Sequence, residues 1–67
     1  MPIVRVEMLS GRSRAQKQEL AEVFTREMAR IANCGPEAVQ IVFADVERQD
    51  WAVGGVLSDA PKPTDAG

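Results

Sequence analysis

The sequence predicts a small α/β unit, α+β in the broader classification, in which a strand, a long helix and a parallel second strand are followed by a short C-terminal hairpin. Three observations carry that prediction. The segment from Pro2 to Leu9 alternates in polarity, as a half-buried strand does. The segment after Ser13 places apolar residues at helical spacing, with charges between them. "AVQIVFADV" then supplies a second alternating run rich in β-branched residues.

In the first strand Val4, Val6 and Met8 share one face, and Ile3, Arg5, Glu7 and Leu9 share the other. "SGRS" interrupts this pattern. Ser13 followed three residues later by Gln16 has the spacing of a capping box, in which the hydroxyl accepts from the N3 amide and the N3 side chain reaches back to the cap. Leu20, Val23, Phe24, Met28 and Ile31 continue as an apolar stripe. The helix is expected to stop near Asn33, where "NCGP" offers a C-cap glycine and a proline that cannot continue it. Its length is then roughly 19 residues, or about 29 Å. The second strand sets Val39, Ile41 and Phe43 against Gln40 and Val42. Two strands joined through one helix imply a right-handed crossover with parallel pairing. "DWAVGGVL", with Gly54-Gly55 between apolar flanks, reads as a short hairpin or lid. The organised domain is expected over residues 2–57, and the polar, proline-rich residues 58–67 as a mobile tail.

A chain of 67 residues buries too little apolar surface to hold a generous margin of stability alone. The single cysteine, Cys34, excludes an internal disulfide, and the absence of histidine argues against a structural zinc. Self-association is the remaining stabiliser. One helix covers one face of a two-stranded sheet, so Ile3, Leu9 and Val42 on the other face, mixed with Arg5, Glu7 and Gln40, read as a subunit interface. A net charge of −2, no basic stripe and three aromatic residues weigh against nucleic-acid binding. No apolar run reaches spanning length and no export segment is evident, so a cytoplasmic location with no membrane partner is expected.

Without histidine, a base that works near neutral pH has few sources. Cys34 falls just beyond a helix C-terminus, where the dipole disfavours a thiolate, and reads as a small packed or loop residue. The chain terminus is the remaining candidate. Removal of Met1 would leave Pro2 with a free secondary amine, and α-amino groups ordinarily titrate near about 7.7–8.0. A prolyl amine is intrinsically more basic, and partial burial and nearby cations both favour its neutral form. Its rigid ring would aim the lone pair of a general base. The plainer reading is an edge strand that starts on proline because the missing N–H costs nothing there. Arg12, in a glycine-flanked loop before a capped helix, suits a carboxylate. Arg12 and Pro2 are separated by roughly 23–33 Å of extended chain, so they can share a site only across a subunit boundary.

The N-terminal "MPIV", the run "EMLSGRSRAQKQEL" and the closing "WAVGG" together resemble the 4-oxalocrotonate tautomerase family over about residues 2–57. The resemblance implies short βαβ chains assembled as hexamers, trimers of dimers, that move a proton within 2-oxo acid enols and need no cofactor or metal. It implies Pro2 as the catalytic base, Arg12 of a neighbouring chain as the carboxylate clamp, and the Leu9 backbone, Trp51 and Val53 as pocket wall. It also exposes a departure: Gln40 stands where the family carries a second arginine on the second strand. A neutral amide replaces a charge-assisted donor, which disfavours a dicarboxylate such as 2-hydroxymuconate and favours a monocarboxylate enol. Arg48, just beyond the second strand, is a candidate substitute. Trp51 can serve as packing anchor and pocket wall together. Asp45, Glu47 and Asp50 read as solvated loop carboxylates.

The expected function is thus a cofactor-free keto–enol tautomerase acting on a small 2-oxo acid or enol carboxylate. The alternative is a non-catalytic or half-site subunit of a hetero-oligomer, which Gln40 motivates. A hydratase or dehalogenase is weaker still, because it wants a water-activating carboxylate and more than one cation.

Overall fold

The computed structural model describes residues 1–61, so the stretch of the expected tail from residue 62 onward lies outside the described residues. Strand β1 runs Ile3–Leu9, helix α1 Arg14–Ala32 and strand β2 Gln40–Val46. Strands β3 (Ala52–Val53) and β4 (Val56–Leu57) form the C-terminal hairpin. A 3₁₀ turn at Pro36–Ala38 leads into β2, and another at Arg48–Asp50 leaves it.

β1 and β2 pair in parallel, from Ile3 opposite Gln40 to Leu9 opposite Val46. The alternation read from the sequence is present on both strands. Val4, Val6 and Met8 of β1 and Ile41 and Phe43 of β2 are half-buried, whereas Ile3, Arg5, Glu7, Gln40 and Val42 are exposed. Helix α1 covers the first face with Leu20, Val23, Phe24 and Met28, all half-buried. Ile31, expected to continue that stripe, is 71% exposed and borders an open apolar concavity with Val4, Phe24 and Met28.

The helix begins as its sequence dictates. Ser13 is the N-cap, the Gln16 amide N–H donates to its Oγ (3.1 Å), and its own N–H donates to Gln16 Oε1 (2.9 Å). The helix ends at Ala32, next to the expected Asn33, but its cap differs from expectation. Asn33, not Gly35, takes the left-handed conformation (φ 56, ψ 54), and the Cys34 N–H closes back on the Ala29 carbonyl at 3.1 Å, a Schellman bond. Gly35 is extended at φ −72 because the following Pro36 excludes the helical region for the residue before it. In the hairpin Gly54 and Gly55 both have positive φ (62 and 83), as a type I′ turn requires.

No described residue falls in the buried class. A single helix over a two-stranded sheet cannot enclose any side chain from all directions. The opposite sheet face leaves Ile3 64% and Val42 45% exposed.

Candidate functional site

Because β1 and β2 are parallel, their starting ends lie together and their finishing ends lie together. Pro2 immediately precedes β1, and its carbonyl accepts from the Gln40 backbone N–H at 3.0 Å. Proline is tolerated here because the strand's first position has no ladder N–H to supply. The Pro2 ring is half-buried. The Gln40 side-chain amide turns toward the same end, and its Nε2 donates to Met1 Sδ at 3.3 Å. Pro2 and Gln40, far apart in sequence, are therefore neighbours. While Met1 is attached, the Pro2 nitrogen is a tertiary amide without a basic lone pair; Met1 itself is 80% exposed.

The remaining candidates gather at the far end, roughly 20 Å away along a seven-residue strand. Leu9, half-buried, closes β1 opposite Val46. The Ser10 N–H then donates to the Val46 carbonyl at 2.9 Å, so the loop leaves the sheet from a fixed point. Arg12 is exposed in this loop, borders a concavity of about 310 Å³ with Gln16, Glu19, Leu20 and Val23, and makes no ion pair among the described residues. Trp51 is half-buried. Its N–H donates to the Arg48 carbonyl (3.3 Å), and its carbonyl accepts from the Ser58 N–H (2.7 Å), pinning the base of the hairpin. Its side chain lines a shallow concavity of about 300 Å³ with Glu7, Val46, Asp50 and Ala52. Val53, opposite Val56 in the hairpin, is 71% exposed.

Pro2 and Gln40 thus meet at one end of the sheet, while Leu9 and the segments carrying Arg12 and Trp51 leave from the other; Arg12 and Trp51 border separate concavities, and Val53 lies further on in the hairpin. Arg48 belongs to that second end. It follows β2 and borders a polar concavity with Ser10, Glu47, Gln49 and Asp59, so within one chain it cannot stand in for a cation at Gln40. Glu47 and Asp50 are exposed. Asp45 is not in a loop: it lies in β2 opposite Met8, on the face turned to the helix, and meets Lys17. That contact escaped the sequence reading. Its signal is Lys17 standing one turn before Leu20 and Ala21, where the stripe facing the sheet begins with a charge rather than an apolar group.

Cys34 is half-buried just past the helix. A larger concavity, about 550 Å³, runs along α1 from Gln18 to Ala29 and contains none of the candidate residues. No helix among the described residues is long and apolar enough to cross a membrane.

The family model described as tautomerase enzyme matches residues 2–60. The 2-hydroxymuconate tautomerase of Comamonas testosteroni is 32% identical over 56 residues, 84% of this chain and 89% of that protein. Among solved structures, a 4-oxalocrotonate tautomerase homologue superposes with a TM-score of 0.87 at 32% identity, covering 94% of this chain and all of its own. A chain of a heterohexamer 4-oxalocrotonate tautomerase from Chloroflexus aurantiacus superposes at 0.82 with 33% identity, covering 87% of this chain and 94% of its own.

Proposed function

The chain belongs to the tautomerase enzyme family, and from that membership we propose that it interconverts enol and keto forms of a small 2-oxo acid without a cofactor, Pro2 acting as the base once Met1 is removed. The observation that carries the reading is the placement of Pro2. It is a rigid, half-buried ring at the head of β1, beside the Gln40 amide, in a chain that contains no histidine. With Met1 gone, the Pro2 nitrogen is a secondary amine held by the sheet, since its own carbonyl is tied to the Gln40 N–H.

In the proposed reaction the neutral prolyl nitrogen takes the proton from the enol oxygen. The electron pair of that O–H bond forms the carbonyl, the carbon–carbon double bond shifts, and the prolinium returns its proton to carbon. Atoms and charge balance with no further reactant. The substrate carboxylate is gripped by Arg12 of a neighbouring copy, because Arg12 of the same chain is at the wrong end of the strand. Leu9, Trp51 and Val53 accompany that Arg12 and wall the pocket. Gln40 offers a neutral donor to the carbonyl oxygen. A charge-assisted bond is roughly twice as strong as a neutral one. The site therefore suits a monocarboxylate enol better than a dicarboxylate.

The test is the rate of phenylenolpyruvate ketonisation by the wild type and by Pro2→Ala, each first weighed intact to establish whether Met1 is present. Equal rates from two processed proteins would overturn the reading.

Gln40 also favours a second reading, in which this chain is one half of a hetero-oligomer and a related chain supplies the missing cation. Purified alone, such a chain stays inactive and gains activity when the related chain is added. Full activity from the single chain excludes it.

A further inference from the structure

We propose that the ion pair between Lys17 and Asp45 is a positioning device for Arg12, setting how tightly the substrate carboxylate is held without taking part in proton transfer. This rests on the reading of Arg12 as the carboxylate clamp. Lys17 Nζ lies 2.5 Å from Asp45 Oδ2, and the two side chains are only 27% and 36% exposed. The other three ion pairs among the described residues are Arg5–Glu7, Arg26–Glu27 and Arg30–Glu27. Each of these lies within a single element, and their side chains are between 44% and 68% exposed. Lys17–Asp45 instead joins α1 to β2.

Its place in the chain gives the pair its role. Asp45 is followed by Val46, whose carbonyl holds the Ser10 N–H at 2.9 Å. From Ser10 the chain passes through Gly11, Arg12 and Ser13, and the Ser13 carbonyl accepts from the Lys17 N–H at 3.1 Å. The Lys17 side chain then returns to Asp45. These links close a ring around Arg12, reinforced on the helix side by the Ser13–Gln16 capping box. Gly11, at φ 126 with open space about its α-carbon, is the swivel inside that ring. Without the Lys17–Asp45 link, the Ser10 bond and the cap still hold the two ends of the loop, but the helix start is free to shift against the end of the sheet. Arg12 then samples more orientations, and each departure weakens a directional guanidinium–carboxylate contact.

The experiment compares KM and kcat for phenylenolpyruvate in the wild type, Lys17→Met, Asp45→Asn, Arg12→Ala and the double variant Arg12→Ala/Lys17→Met. Assembly of each is checked by sedimentation. Lys17→Met and Asp45→Asn are expected to raise KM about three- to tenfold with kcat within about twofold, in the range of coupling between residues of one network. In the Arg12→Ala background, Lys17→Met is expected to add nothing, since there is no guanidinium left to position. Arg30→Met, which removes an ion pair remote from the loop, is the control and leaves KM unchanged. If Arg12→Ala raises KM while Lys17→Met and Asp45→Asn do not, the positioning role is overturned and the clamp survives. If Lys17→Met costs as much without Arg12 as with it, the pair is merely structural and the proposal fails. A flat response to Arg12→Ala strikes the clamp reading itself. Should either single variant fail to assemble, the exchanged pair Lys17→Asp/Asp45→Lys decides. Restored KM supports positioning, and an assembled protein with a raised KM refutes it.

Discussion

Pro2 and Gln40 illustrate what a single position can and cannot announce. A proline at position two is ambiguous in sequence, since it either opens an edge strand or becomes a reactive terminus. The structure is compatible with both, because the sheet engages the Pro2 carbonyl and not its nitrogen, which becomes a basic amine only if Met1 is removed. Pro2→Ala, if Met1 is still removed, keeps a basic terminus but loses the fixed direction of its lone pair. Its kcat for phenylenolpyruvate is expected to fall by about 10²–10⁴, the usual contribution of a positioned general base. A variant that retains Met1 is expected to fall at least as far, and intact mass read beside the rate distinguishes the two causes. Gln40→Arg restores a cation beside Pro2. It is expected to raise kcat/KM for 2-hydroxymuconate on the order of 10- to 100-fold, the worth of a hydrogen bond to a charged group. The monocarboxylate phenylenolpyruvate should gain less. Equal gains on both substrates would show that Gln40 does not discriminate between them.

The helix and hairpin were largely legible, because their signals are local. Ser13 and Gln16 cap α1 as their spacing requires, and Ser13→Ala is expected to cost about 1 kcal/mol in denaturant unfolding. The two glycines of the hairpin take the conformations that their turn demands. The helix stops near Asn33 after 19 residues, as expected, but its capping residue differs from expectation for an equally local reason. Glycine is the usual left-handed residue there, but Pro36 holds Gly35 extended, and the role passes to Asn33. Two substitutions separate these roles. Asn33→Val places a β-branched residue at φ 56 and is expected to cost about 1–2 kcal/mol. Gly35→Ala requires only that the Glu37 carboxylate swing away from the new methyl group, and is expected to change stability by less than about 0.5 kcal/mol. The reverse order would mean that the helix stops at Gly35 in solution. Lys17–Asp45 was only half legible: a charge opening the sheet-facing stripe hints at a partner on the sheet, but no local spacing identifies Asp45, far along the chain, as that partner.

At the scale of the whole molecule, the absence of any buried residue among those described says that one copy is not a finished fold. Ile3, Val42, Val53, Val56 and Leu57 are each between 45% and 71% exposed, and the sheet and hairpin that carry them have no cover. Association with further copies, or with a related chain, would bury this surface, and the proposed site requires that it also bring a second chain's Arg12 to Pro2. The thermal midpoint should therefore rise with protein concentration, as it does when assembly and folding are linked. Val42→Glu, which puts a charge at the centre of the uncovered face, is expected to yield dissociated, poorly folded chains by sedimentation and circular dichroism. A stable, active monomer would refute the shared site. The sequence by itself determined the order of elements, their faces, the parallel pairing and the residue types of the chemistry, because periodicity, caps and turn residues act over a few positions. Only the tertiary structure decided which of these residues meet. Parallel pairing puts Pro2 beside Gln40 and sends Leu9, Arg12, Arg48 and Trp51 to the other end. Strand register is a relation between distant segments, and no local spacing encodes it.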